Sequence, residues 1–204
     1  MSGQTQEVKR SRNVGLKDIY VALLTENTTE AYTAEKPVKL ARAIKAKISD
    51  KRSSEELESD DGTEETLDAY EGTEIEIEVN SLAPQDLALL MGHKYENGYL
   101  IKNKDDKAPE VALGYRSRKL NGTYDFTWLY AGRFAEGKDT NRETNGRKPT
   151  AQTETIKGKF YERKIDGNVE LTVDENNLTA QNTTAAEVIK KWFEKVQEPG
   201  EAAA

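Results

Sequence analysis

The stretch TEIEIEV, residues 73–79, sets Ile75, Ile77 and Val79 against Glu74, Glu76 and Glu78 in strict alternation. Side chains along a strand point to opposite faces in turn, so the pattern describes a β-strand with one apolar and one acidic face. The segment VKLARAIKAKI, residues 38–48, is ambiguous by itself. Leu40, Ile44 and Ile48 recur at helical spacing, yet Val38, Leu40, Ile44, Ala46 and Ile48 share the even positions of a strand. A two-residue turn at Asp61–Gly62, a favoured hairpin pair, breaks the tie. It sets Ile48 against Ile75, Ala46 against Ile77 and Ile44 against Val79 on one face, and Lys47 against Glu76 and Lys45 against Glu78 on the other. One turn satisfies both faces, so the sequence predicts a long hairpin.

Its distal part, SSEELESDDGTEETLDAYEG, carries nine carboxylates and no Lys or Arg: Glu55, Glu56, Glu58, Asp60, Asp61, Glu64, Glu65, Asp68 and Glu71. The same register sets Glu58 against Glu65 and Glu55 against Asp68, and like charges across a ladder are destabilising. The expectation is an arm about 35 Å long that stays mobile or irregular until a partner orders it. From Ser53 through His93 there are thirteen acids and no base, while the whole chain has a net charge of −7, which leaves +6 for the remainder. That asymmetry favours head-to-tail contact between copies.

The other elements follow from local signals. Residues 1–13 read as a flexible basic arm and 198–204 as a disordered tail. A strand covers 13–24, with Val14, Leu16, Ile19, Val21 and Leu23 toward the core and a bulge near Lys17–Asp18. A short helix begins at Pro84, buries Leu87, Leu90 and Met91, and stops at Gly92. A hairpin over 111–134 turns at Asn121–Gly122, and its second strand lines up Tyr124, Phe126, Trp128 and Tyr130. After a polar loop at 136–150, strands over 153–161 and 168–173 flank an Asp166–Gly167 turn. Thr184 and Glu187 have capping-box spacing at the start of a closing helix with the stripe Ile189, Trp192, Phe193 and Val196. The sum, for 204 residues in one domain, is a mainly β, antiparallel β-sandwich or barrel with one short internal helix and a C-terminal helix.

Catalysis finds little support. There is no cysteine, so disulfides and thiolate sites are excluded. The single histidine, His93, follows the helix stop and reads as a solvated surface residue. No nucleophile elbow or phosphate loop is present. SDDGTEE lacks the alternating ligands of a calcium loop, so neither a metal nor a cofactor is assigned. The Tyr124–Tyr130 stripe reads as core rather than as a sugar-stacking platform. A carbohydrate-binding β-sandwich module and an acid-dependent hydrolase stand as the rival readings. No apolar run is long enough to cross a membrane, and the N-terminus lacks a secretory apolar stretch.

Five blocks carry a resemblance: NVGLKDIYVALLTEN, PVKLARAIKAKIS running into SSEELESDDGTEET, DLALLMGHKYENGYLIKNKDDKAPEVALGYRS, NGTYDFTWLYAGRFAEGKD and TETIKGKFYERKIDG. In order and spacing the chain resembles the major tail, or tail-tube, proteins of long-tailed bacteriophages, in the group common among phages of Gram-positive bacteria. The resemblance implies a tail-tube β domain over 14–175 and a helical extension over 176–197. It also implies six-subunit rings whose inner wall is one β-barrel, stacked into a virion tail tube around the tape-measure protein. Terminator or distal tail proteins would meet its ends, and DNA would pass through without specific binding. Residues 50–70 take the place of the family's inter-subunit loop, here with Glu55, Glu56, Leu57, Glu58, Asp60, Asp61, Glu64 and Glu65. The candidate basic receptor is Lys9, Arg10 and Arg12 together with Arg133, Lys138, Arg142, Arg147 and Lys148. The row Glu74, Glu76 and Glu78, facing Lys45 and Lys47, is the candidate channel lining.

Overall fold

The computed structural model describes residues 8–40, 43–59, 62–135, 138–140 and 153–200, with the backbone alone for 55–59, 62–67 and 138–140. In chain order the strands are β1 (Asn13–Asn27), β2 (Tyr32–Ala34), β3 (Val38–Lys39), β4 (Ala43–Ser59) and β5 (Gly62–Val79). Helix α1 (Pro84–Met91) precedes the small hairpin of β6 (Lys94–Glu96) and β7 (Tyr99–Ile101). There follow β8 (Val111–Lys119), β9 (Tyr124–Arg133), β10 (Lys138–Thr140), β11 (Glu154–Tyr161), β12 (Glu170–Asp174) and helix α2 (Thr183–Val188). Ten strands form one antiparallel sheet in the order β2-β1-β8-β9-β11-β5-β4, with β3 on β1, β10 on β11 and β12 on β9. The fold is thus mainly β with two short helices, as expected. No sheet among the described residues closes into a barrel: β4 ends the sheet with one edge unpaired.

Two apolar layers lie on the two faces. On one, Ile75, Ile77, Val79, Ile156, Phe160, Leu113 and Leu129 pack with Leu87, Leu90 and Met91 of α1. Pro84 opens this helix, and Gly92, at φ 71°, closes it in the left-handed region where a side chain would be strained. Burying each of the three large helix side chains contributes roughly 1.5–3 kcal/mol, which anchors a helix otherwise too short to persist. On the other face, Phe126, Trp128 and Tyr130 are covered by Val188, Trp192 and Val196. The Trp128 indole N–H donates to the Trp192 carbonyl at 3.1 Å and the Tyr130 hydroxyl to the Gln197 carbonyl at 3.1 Å. The aromatic stripe is therefore core. The closing helix is shorter than expected: α2 gives way to a 3-10 turn at Ile189–Lys191. Its cap is Asn182 rather than Thr184, and Asn182 makes no side-chain bond to the helix N–H groups, so no capping box forms.

The predicted register of the long hairpin holds from Lys45↔Glu78 through Ile48↔Ile75 to Lys51↔Gly72. Ile44 does not meet Val79; Ala43 does, across a bulge that leaves Ile44 51% exposed. Two further shifts, at Lys51/Arg52 and Leu57/Glu58, set Glu55 opposite Leu67, Leu57 opposite Glu65 and Glu58 opposite Thr63. The expected carboxylate–carboxylate oppositions are thereby avoided, and the ladder continues, with these two irregularities, to Ser59↔Gly62. Gly62 is already paired, with Ser59, so the turn is not the expected Asp61–Gly62; Asp60 and Asp61, which lie between the paired residues, are outside the described residues.

Strands β11 and β12 do not form a hairpin. Both run antiparallel to β9, β11 along 131–133 and β12 along 125–129, so they are two pieces of one interrupted strand. The Asp166–Gly167 turn belongs to the excursion between them, with Gly167 at φ 72°. That excursion buries Arg163, 3% exposed, over the Tyr130 ring at 4.2 Å and beside the Asp166 and Glu198 carboxylates.

Candidate functional site

β11 pairs β5 only over Thr73–Val79, so Gly62–Gly72 and their partners on β4 overhang the rest of the sheet as a two-stranded ribbon. At its root, Thr73 Oγ1 donates to Asp50 Oδ1 at 2.6 Å, and the Tyr70 hydroxyl lies 2.7 Å from Thr73 Oγ1. The outer edge of β4 is hydrogen-bonded to no described strand, although the start of β4 lies near β1, and Ile48 is 38% exposed. An unpaired edge with apolar side chains is a template for another strand.

The three acids offered as channel lining do share one outward face. Cross-strand pairing sets Glu78, Glu76 and Glu74 beside Lys45, Lys47 and Ser49 of β4, and beside Thr155, Lys157 and Lys159 of β11. Lys51 Nζ lies 3.2 Å from Glu74, and Thr153 Oγ1 donates to Glu78 at 2.7 Å. Lys47, Lys51, Lys157, Glu74 and Glu76 border a depression of about 230 Å³. The glutamate row thus runs between lysines on both sides, and those of β11, distant in sequence, could not be placed there by pairing neighbouring segments.

The candidate receptors divide. The arm is anchored from Lys9 onward: its N–H donates to Asn177 Oδ1 at 2.8 Å, and its carbonyl accepts from Asn176 Nδ2 at 2.8 Å. The side chains of Lys9, Arg10 and Arg12 stay exposed. Arg133 pairs with Glu110 at 3.4 Å, and Glu110 also accepts the Tyr161 hydroxyl. Burial tends to raise the Glu110 carboxyl, but Tyr161, Arg133 and Asn27 outweigh it and hold it below the ordinary value. Lys138 contributes backbone to β10; Arg142, Arg147 and Lys148 lie outside the described residues.

A second basic surface was missed. At the predicted β1 bulge, Asp18 adopts φ 50° and the ladder to β8 shifts between Lys17 and Tyr20. Asp18 accepts from Lys39 Nζ at 2.5 Å and from Arg116 Nε at 2.7 Å. Burial would raise its carboxyl, but the bonds and charges of Lys39 and Arg116 prevail and lower it. The bulge opens a cleft of about 530 Å³ between β1 and the start of β4, bordered by Lys17, Lys39 and Arg116.

His93 is not a solvated surface residue: its Nδ1 lies 2.7 Å from Asp106 Oδ2, with a side chain 15% exposed. The recess beside it is lined by Leu87, Met91, Lys102, Lys107, Arg133 and Phe134. Among the described residues no group of three or more His, Asp or Glu is placed to hold a metal ion, and no helix is long and apolar enough to cross a membrane. No family model matches the chain, and no curated protein matches it significantly.

Proposed function

We propose that the chain is a structural subunit whose activity is self-assembly, in the manner of a phage tail-tube protein: copies join into rings, rings stack, and the tube conducts DNA. The observation that carries this reading is the long unpaired edge of β4, with exposed Ile44 and Ile48, continuing into a ribbon that overhangs its own domain. An isolated monomer gains nothing from such an edge and risks aggregation through it, whereas a ring of copies converts it into paired strand. An open sheet in each subunit also suits a barrel wall built from several subunits. The sugar-stacking alternative loses its platform, because Trp128 and Tyr130 are wholly buried. The channel-lining role proposed for Glu74, Glu76 and Glu78 would give a wall of mixed charge, since Lys45, Lys47, Lys157 and Lys159 flank them.

The test is negative-stain electron microscopy of concentrated protein, with and without Glu55→Lys, Glu56→Lys and Asp60→Lys. Hollow rings or tubes formed by the wild type and absent from the folded triple variant support the reading. A protein that stays monomeric at millimolar concentration overturns it.

A further inference from the structure

We infer that the basic margin of β1, made by Arg12, Lys17, Lys39, Arg116 and Arg118, is the docking surface for the acidic ribbon of a second copy; this rests on the self-assembly reading and names its receptor. Three observations converge there. The first is charge. Lys17 lies opposite Arg116 and Gly15 opposite Arg118 on the β1–β8 ladder, and the Leu120 N–H bonds to the Arg12 carbonyl at 2.9 Å, which draws the cations to one end of the sheet. Asp18, on the same margin, is already engaged by Lys39 and Arg116. Among the described residues Arg12, Lys17 and Arg118 meet no carboxylate, and all three are exposed. The ribbon has the complementary character, with nine carboxylates and no base between Ser53 and Gly72.

The second observation is backbone. β3 pairs with β1 only at Tyr20 and Val21, so among the described residues the outer margin of β1 from Asn13 to Asp18 is in no ladder on that side, although the start of β4 lies close to β1 across the cleft. Among the described residues the ribbon edge on β5 from Gly62 to Glu71 is likewise in no ladder on its far side from β4. Two open edges of opposite charge can add to one another by strand pairing, with the ion pairs selecting partner and register. The third is space: the 530 Å³ cleft beside the bulge gives the side chains of an incoming strand somewhere to sit. Val14, expected to face the core, is instead 56% accessible and offers an apolar contact on the same margin. The contact is heterologous, margin to ribbon, and so propagates into rings or helical stacks rather than closing as a dimer.

The experiment is a charge swap read as the critical concentration for assembly, by sedimentation at fixed salt. Lys17→Glu with Arg118→Glu spares the Asp18 network, and Glu55→Lys with Glu56→Lys and Asp68→Lys reverses the ribbon. Each set alone is expected to raise the critical concentration by about tenfold or more, and the two sets combined in one chain to return it to within about threefold of wild type. Circular dichroism melts within a few degrees of wild type establish that the variants fold. Assembly unaffected by Lys17→Glu/Arg118→Glu overturns the inference while leaving self-assembly intact, as does failure of the combined swap to restore it. If this variant instead loses binding to a fluorescent duplex DNA that the wild type binds, and still assembles normally, the surface belongs to nucleic acid and the inference falls. A wild type that never assembles removes both this inference and the function it rests on.

Discussion

The Asp18 carboxylate ties β1 to β8 by accepting a 2.7 Å hydrogen bond from Arg116 Nε, and it reaches β3 through Lys39 Nζ. One side chain thereby holds three strands together where the bulge has cost the sheet its ladder bonds. Asp also tolerates the left-handed backbone at this position better than most residues do.

Asp18→Asn keeps that backbone tolerance and removes the charge. The variant is expected to lose about 1–2 kcal/mol of stability at pH 7, a discounted figure because Lys39 is half exposed. Because the folded carboxyl titrates below its ordinary value of 3.8, its contribution is present above that value and is lost as pH falls through the folded one. Urea melts should therefore show the gap between variant and wild type at pH 7 and its disappearance in strong acid.

Lys119 is buried, with Nζ 2.6 Å from Asp125 and 2.5 Å from Asp174, and so joins β8, β9 and β12. Lys119→Met strands two carboxylates and is expected to cost about 3 kcal/mol or more at neutral pH. Burial alone would raise Asp174, but Lys119 and the Asn177 and Asn176 hydrogen bonds lower it below 3.8. That wild-type advantage exists above pH 3.8 and fades as the carboxyl protonates, so the cost of the substitution should shrink in acid. A gap that does not change between pH 7 and pH 2.5 would mean the lysine acts through packing alone.

Gly132 lies directly opposite Phe160, and a Cβ there would come within 2.3 Å of the Phe160 ring. Phe160 is fully buried against Phe134 in an edge-on contact and has no room to retreat. Gly132→Ala should cost about 1–3 kcal/mol by overpacking, and Phe160→Leu on the same background should recover part of it. Thermal melts of the three variants decide the point.

Ile44 and Ile48 are exposed on the open strand, so a lysine at either costs the isolated fold little, within about 0.5 kcal/mol. Charge on an edge also blocks strand addition. Ile44→Lys with Ile48→Lys should leave the melting temperature of the monomer unchanged and abolish assembly as judged by light scattering.

Much of this architecture was written in short-range pattern. The alternation in TEIEIEV, the stop at Gly92 and the kink at Asp18 are each decided by a few neighbouring residues, because strand faces, left-handed turns and bulges depend on local stereochemistry. Even the pairing of Ile48 with Ile75 followed from two apolar faces, although the turn expected at Asp61–Gly62 is displaced and two shifts along the ribbon restore the register. What chain order could not disclose is which distant edges meet. β12 continues along β9 instead of folding back on β11; lysines of β11 flank the Glu74–Glu78 row; Trp192 seals Trp128; and Arg116 and Arg118 come to lie beside Lys17. These juxtapositions depend on the closing of long loops and on competition between alternative strand partners, and only the packed sheet resolves that competition. The same holds for the bulges along the ribbon, where the balance between ladder bonds and like-charge repulsion is struck pair by pair in the assembled hairpin.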